Sequence, residues 1–307
     1  MTLTVVYIVG ARNCGSTMLD ALLGAAPGAR SLGEVGGFQR YAPDCPCACQ
    51  QPQPCAACTS ALAAIETRGS FAAYRERANA PLKERRFFWA LWRTPGRRAY
   101  ARDADSIFDS VAATTGSRVL IDSSKNISRA AALAGDSRHD IRVLHLIRDG
   151  RGVLRSRHKR AEVDGRPYRA TASLAEWLGK NLMISWLLAR RLPADRFLLA
   201  RYEDLLTDPG KELTRIGAFA GLDLAAVVEA AMTTGVERLH IFEPMRRTDY
   251  RLVTLDPTRL AGQRQSPREN RRYWRGGGFL SARWGYDRDQ SYLDQPPSAV
   301  STTSSTG

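Results

Sequence analysis

Nowhere in the 307 residues do about 18 apolar residues run together, so no membrane-spanning helix is expected. The first apolar run, Val5 to Val9, is too short for the hydrophobic region of a secretory signal, and no basic segment precedes it. The expected location is therefore cytoplasmic. No internal repeat is visible. Acidic residues are scarce beside basic ones, 31 against 45, leaving a formal net charge of +14. Such a balance suits an anionic partner: a nucleotide, a nucleic acid, an acidic lipid or a sulfated sugar. The excess is nearly all arginine and alanine is abundant too, so compositional drift is the competing explanation. Cysteine is almost confined to one place, with five of six between residues 45 and 58. In a cytosolic chain such a cluster reads as metal-binding or reduced before it reads as disulfides. A hydrophobic content of 44% is ordinary for a globular protein, and the length suffices for one large α/β domain or two small ones.

Thr4-Val5-Val6-Tyr7-Ile8-Val9 is a continuous β-branched and aromatic run, as a parallel strand buried on both faces requires. Gly10 ends it, and a helix is expected from near Ser16, with Met18, Leu19, Leu22 and Leu23 on one face. Further strands are expected at Arg118 to Asp122, Ile141 to Ile147 and Arg196 to Leu199. Helical patterns cover about 152–160, 173–191 and 209–220, the last opening on Asp208-Pro209, an N-cap followed by proline. Strands alternating with helices predict a parallel β-sheet flanked by helices on both faces, with ligands at the carboxyl ends of the strands. Residues 38–115 interrupt this rhythm. They hold the cysteines and an aromatic-basic stretch, Arg85 to Arg93, and read as a mostly helical insertion or lid within a domain of residues 1–288. The Ser/Thr/Pro-rich tail, 289–307, is expected to be disordered.

The first strand runs into Gly10-Ala11-Arg12-Asn13-Cys14-Gly15-Ser16-Thr17 and then a helix. The spacing is that of a phosphate-binding loop, G-x-x-x-x-G-K-[ST], with Ser16 in place of the lysine. Backbone N–H groups still converge at a helix N-terminus, and the helix dipole still favours an anion there. A glycine-containing strand–helix turn with no ligand remains the alternative. The missing lysine would cost an ATP-dependent kinase or phosphotransferase its grip on the β- and γ-phosphates.

The stretch VYIVGARNCGSTMLDALL resembles the 5′-phosphosulfate loop of the sulfotransferases that use PAPS (3′-phosphoadenosine 5′-phosphosulfate). Asn13 stands where that family usually has Lys or Arg, and Cys14 where it usually has Ser; Arg12, one position earlier, is the candidate replacement cation. Three later segments extend the resemblance in the same order. Ile147-Arg148-Asp149-Gly150-Arg151 with Ser156 resembles the 3′-phosphate motif, where Arg148 can grip a phosphate bidentately and Ser156 can donate a hydroxyl. Arg201-Tyr202-Glu203-Asp204-Leu205 resembles a segment whose tyrosine lies near the nucleotide. Pro244-Met245-Arg246-Arg247 resembles a segment that returns a basic pair to the 3′-phosphate, although Thr248 replaces the glycine that usually follows. Taken alone, Arg148 reads equally as a salt-bridged strand end, and the Tyr202 segment as a structural turn. The resemblance implies a P-loop-type α/β fold, PAPS as the donor co-substrate and no required metal. It also implies a nucleotide site made by Ala11, Arg12, Asn13, Cys14, Gly15, Ser16, Thr17, Arg148, Ser156, Tyr202, Arg246 and Arg247.

Sulfuryl transfer to an alcohol needs a base for the hydroxyl proton, cations or donors for the developing charge, and alignment of the reacting atoms. Glu34, in Ser31-Leu32-Gly33-Glu34-Val35, is the expected base, because one short connection returns it to the mouth of the loop; the segment resembles the G-E glutamate of tyrosylprotein and some bacterial carbohydrate sulfotransferases. An N-cap or merely exposed acid is the competing reading. Lys125, just past a strand in Asp122-Ser123-Ser124-Lys125-Asn126, is the expected catalytic cation, with Arg12 as the second; a solvated loop lysine is the alternative. The K-x-H base of other members is absent, because Asn126 and Ile127 follow the lysine.

Cys45, Cys47, Cys49, Cys55 and Cys58 leave three states open: a structural zinc site, reduced thiols, or disulfides. Only Cys55-x-x-Cys58 has a familiar zinc spacing. Two other functions compete. Asp122 after a strand would suit a Mg²⁺-linked acid of an ATP-dependent enzyme. The arginines of 85–93 and 259–275 would suit a basic nucleic-acid-binding protein, although no known module is recognisable and no nucleic-acid partner is expected. The partners expected are the nucleotide donor and a hydroxyl acceptor on a small molecule, carbohydrate or lipid.

Overall fold

The run Thr4–Val9 forms strand β1, and each residue from Val5 to Val9 is fully buried. The structure, a computed structural model, describes residues 2–38, 55–79, 95–237, 252–261 and 263–294. Alternation along β1 divides the core in two. Val5, Tyr7 and Val9 face one layer of helices, while Val6 and Ile8 face the other, as the two-residue period of a strand dictates.

From β1 the chain enters α1 (Ser16–Gly24) and returns as the short strand β2 (Ala29–Gly33). Next come α2 (Ala56–Glu66), α3 (Phe71–Asn79) and the 21-residue α4 (Pro95–Thr115). β3 (Val119–Lys125), α5 (Ile127–Asp136), β4 (Asp140–Ile147) and α6 (Gly150–Val163) follow. After α7 (Ala170–Leu182) comes β5 (Phe197–Arg201), with α8 (Asp204–Thr207), α9 (Pro209–Ala220) and α10 (Ala225–Met232) behind it. A two-stranded antiparallel ribbon pairs β6 (Val236–Glu237) with β7 (Leu252–Val253). Helices α11 (Thr258–Ala261) and α12 (Pro267–Arg275) complete the chain.

Strands β1 to β5 form one parallel sheet in the order β2-β3-β1-β4-β5. The expected fold class is therefore the observed one. Because the chain leaves β1 toward one edge and later crosses to the other side, β1 sits where the winding reverses, and the loop after it opens at the carboxyl edge where ligands of such sheets bind. No helix among the described residues is long and apolar enough to cross a membrane.

The structure differs from the sequence expectation at several places, four of which bear on the site or its surroundings. β2 was not anticipated; Ala-Arg-Ser-Leu-Gly is a five-residue edge strand with two polar side chains, which carries little periodic signal. The helix expected over 173–191 runs from Ala170 to Leu182 and then loosens into a π turn at Met183–Leu188 and a 3₁₀ turn at Ala189–Arg191. α12 is a defined helix with a capping box, in which Ser266 accepts from Glu269 N while Glu269 accepts from Ser266 N. Finally, the start of the tail is packed: Tyr292 is 5% exposed and donates from its hydroxyl to Asp149 Oδ2 at 2.9 Å. The remainder of that tail, from residue 295, lies outside the described residues, as do Arg85 to Arg93.

Candidate active site

The ends of all five strands build the site, in three parts. β1 delivers the loop Gly10 to Thr17. Asn13 and Gly15 both hold positive φ, 67° and 97°, which turns the backbone sharply into α1. The N-cap residue Gly15 offers α1 no side-chain cap, so the positive end of the helix dipole opens at the loop. Ala11 and Cys14 point inward at 1% exposure each and offer a ligand only their backbone. Burial pushes the Cys14 thiol up from its ordinary value, as suits a packing residue rather than a nucleophile. Ser16 is buried and Thr17 half-buried, whereas Arg12 is exposed and forms no ion pair with another described residue.

β2 and β3 deliver Glu34 and Lys125. Gly33 pairs with Asp122, and Val9, the last residue of β1, pairs with Lys125, so both side chains leave the sheet beside the loop. They meet in an ion pair between Lys125 Nζ and Glu34 Oε1, and Lys125 Nζ also donates to Ser123 O at 3.1 Å. Glu34 is the N-cap residue of a 3₁₀ turn at Val35–Gly37 but makes no side-chain cap bond. Lys125 occupies the left-handed region at φ 62°, which non-glycine residues seldom adopt and which clusters at functional sites. Ser124 holds the geometry: its hydroxyl bonds to Asp122 Oδ1 and accepts from Gly36 N at 2.8 Å, tying the end of β3 to the turn that carries Glu34.

β4 and β5 deliver the third part. Arg148, just past β4, donates from Nη1 to Asn13 O at 3.2 Å, and its guanidinium lies 4.5 Å from the centre of the Tyr202 ring. Tyr202 in turn covers Gly15; a Cβ there would come within 2.4 Å of the ring. Asn13 Nδ2 donates to Ser156 Oγ on α6 at 3.2 Å. The structure thus brings Asn13, Gly15, Arg148, Ser156 and Tyr202 into one contiguous cluster. Arg259, on α11, was not singled out by itself in the sequence; its positive charge acts on Tyr202 from a segment 57 residues later, and no short motif carries that proximity. Arg246 and Arg247 lie outside the described residues.

Asp122 does not serve as a metal-linked acid. It is completely buried; Oδ2 accepts from Arg129 Nη2 at 2.7 Å and Nε at 3.0 Å, and Oδ1 accepts from Ser124 N. Arg129 also donates to the Tyr100 hydroxyl. Both carboxylate oxygens are spent inside the core, so the kinase alternative loses its acid. Ile127, at the histidine position of K-x-H, is buried, and Asn126 before it caps α5 by accepting from Arg129 N at 2.8 Å. Asp149 and Glu203 are also structural. Asp149 pairs with the buried Arg151 at 2.7 Å, and Glu203 accepts from Asp149 N at 3.0 Å and the Tyr286 hydroxyl at 2.6 Å. Desolvation, helped by the neighbouring Asp149 charge, lifts Glu203 to a pKa of about 7.

Of the cysteine cluster, Cys45, Cys47 and Cys49 lie outside the described residues. Cys55 and Cys58 are buried at the start of α2, where Cys55 Sγ accepts from Cys58 N at 3.4 Å.

A sequence profile described as the sulfotransferase family matches residues 6–226, a span that includes Glu34, Lys125, Arg148 and Tyr202. The chain belongs to the sulfotransferase family. Its fold resembles the sulfotransferase domain from the Synechococcus PCC 7002 olefin synthase, with a TM-score of 0.52 and 22% identity over 87% of this chain and 90% of that one. It also resembles the sulfotransferase domain from the curacin biosynthetic pathway, with a TM-score of 0.52 and 14% identity over 93% of this chain and 98% of that one. At these identities the likeness is one of fold. No curated protein matches the chain. Within a sulfotransferase, the cluster around the β1 loop lies where the winding of the sheet reverses, the place the architecture reserves for a ligand.

Proposed function

We propose that the chain transfers a sulfuryl group from PAPS to a hydroxyl of a small-molecule, carbohydrate or lipid acceptor and releases PAP (3′-phosphoadenosine 5′-phosphate). The observation that carries this reading is the Glu34–Lys125 pair, a proton acceptor and a cation side by side at the mouth of a phosphate-type loop. The residues also fit the donor's anionic ends. α1 has an uncapped N-terminus for the 5′ end. Arg148 has a buried Nε with no partner among the described residues, beside Ser156 and the ring of Tyr202, for the 3′ end.

Bound PAPS supplies an activated sulfur, whose bond to the bridging phosphate oxygen breaks as the acceptor oxygen bonds to it. Glu34 takes the proton from the acceptor hydroxyl. Lys125 Nζ, on a backbone held in the left-handed region, stands beside the leaving oxygen and offsets the charge that develops there. The first-turn N–H groups of α1 hold the phosphate, and Arg148 with Ser156 fixes the far end of the nucleotide so that the reacting atoms stay in line. Arg12, exposed at the rim, is the second cation in this reading. No residue in this scheme requires a metal ion.

A panel of hydroxyl compounds incubated with sulfur-labelled PAPS tests the reading. We expect label to appear on at least one acceptor and to vanish with Glu34→Gln. Label transfer that survives unchanged in Glu34→Gln would remove Glu34 as the base, and a wild-type chain that neither binds PAP nor transfers label to any acceptor would overturn the donor assignment.

A further inference from the structure

Gln263 lies just after α11 and is 5% exposed. Its Nε2 donates to Arg259 O at 3.0 Å, and this bond sets the amide so that Oε1 points the other way. Oε1 is buried and has no hydrogen-bond partner among the described residues. Arg148 Nε is buried and, among the described residues, unpartnered as well. Both atoms border the same small space over Gly152, in the first turn of α6. A Cβ at Gly152 would meet Gln263 Oε1 at 2.7 Å and Arg148 Nε at 3.1 Å. A buried acceptor and a buried donor therefore face one gap that exists only because residue 152 has no side chain.

Two orphaned polar atoms of complementary kind are costly to leave unpaired. A turn of the guanidinium that brought Nε within hydrogen-bond reach of Oε1 would satisfy both. The rest of the arginine already has its place: Nη1 reaches Asn13 O, and the guanidinium lies over Tyr202. The geometry points to Gln263 as a positioning residue for Arg148, accepting from Nε so that the outer edge of the guanidinium faces a phosphate bidentately. Gln263 and Arg259 join the C-terminal segment to this arginine, so α11 serves as its clamp. The inference rests on the reading of Arg148 as the contact for the donor's 3′-phosphate.

The test compares the affinity of the full chain for PAP and for adenosine 5′-phosphate, which lacks the 3′-phosphate, by calorimetry. For Gln263→Leu we expect PAP to weaken about tenfold while adenosine 5′-phosphate is unchanged. Gly152→Ala, which fills the gap at a helical position that favours alanine, should give the same selective loss without lowering the melting temperature. In the Arg148→Ala background Gln263→Leu should add nothing, because the residue it positions is gone. Equal weakening of both nucleotides would reduce Gln263 to a structural role, and an intact preference for PAP in both single variants would overturn the inference while leaving the donor reading in place. A wild-type chain with no preference for PAP would instead overturn the donor reading itself.

Discussion

Lys125 and Glu34 stand 91 residues apart in the chain and form an ion pair across the carboxyl ends of neighbouring strands. The register of β1, β2 and β3 places this pair beside the phosphate-type loop, and Ser124 locks the two strand ends together. The first prediction follows from their proximity. Glu34→Gln should retain PAP binding and lose about 10²- to 10⁴-fold in kcat, the range for removal of a general base. Lys125→Ala should lower kcat more than donor affinity. The double variant should cost less than the two separate losses combined, because each partner acts beside the other. Steady-state kinetics with a nucleotide-binding assay check all three; a kcat within a few-fold of wild type for Glu34→Gln contradicts the role of base.

Asp122 is predicted to matter for stability rather than for metal binding. Asp122→Ala leaves Arg129 charged, buried and short of its partner, and breaking such a pair costs about 3–5 kcal/mol. Urea denaturation should show that loss. A variant of unchanged stability that has lost a Mg²⁺-dependent activity present in the wild-type chain would return Asp122 to the position of a metal-linked acid.

Gly15 should resist any side chain. Its φ of 97° and the 2.4 Å approach of the Tyr202 ring leave no room for a Cβ. Gly15→Ala is expected to push Tyr202 off the loop, weaken PAP by at least about tenfold, and cost about 1–3 kcal/mol through the strained backbone. Calorimetry and thermal melting measure the two effects separately.

Stability should carry a signature of two buried groups titrating in opposite senses. Glu203 has its folded pKa raised from 4.5 to about 7, chiefly by desolvation. The folded state therefore holds a proton that the unfolded state releases, and this contribution is full below about pH 4.5 and lost as pH rises through 7. His145 is pushed down from 6.5 to about 4, again by desolvation, so its contribution is full above about pH 6.5 and lost as pH falls toward 4. Each shift corresponds to about 3 kcal/mol, and over the interval between them the slopes oppose. Glu203→Gln, which mimics the protonated acid and keeps an acceptor for Asp149 N, removes the first slope alone. It should match wild type near pH 5 and exceed it near pH 8 by up to about 3 kcal/mol in urea denaturation. An advantage that does not change between the two pH values would contradict the assignment.

Much of this arrangement was legible because its signals are local. β1, the loop spacing and the start of α1 occupy contiguous residues, and the β-branched run and the glycines each state their own geometry. Arg148 with Ser156, and Tyr202 after β5, were readable as short segments in a fixed order. Their union into one cluster with Asn13 and Gly15 depends on the parallel register, which the sequence shows only as a rhythm of strands and helices. The edge strand β2 was hidden by its length and by Arg30 and Ser31. Asp122 misled because the residue that neutralises it, Arg129, lies seven positions on, in the first turn of α5. Arg259 and Gln263 carried no motif at all; their meaning comes from contacts with Tyr202 and with the gap beside Arg148, made by a segment that returns from far along the chain.

The most direct test of the account is nucleotide binding to the wild-type chain with EDTA present, comparing PAP with ATP by calorimetry. The account predicts that PAP binds, at least about tenfold more tightly than ATP, with no divalent metal, because the loop lacks the lysine for β- and γ-phosphates while Arg148 and Ser156 await a 3′-phosphate. Binding of ATP but not PAP, appearing only when Mg²⁺ is restored, would contradict it.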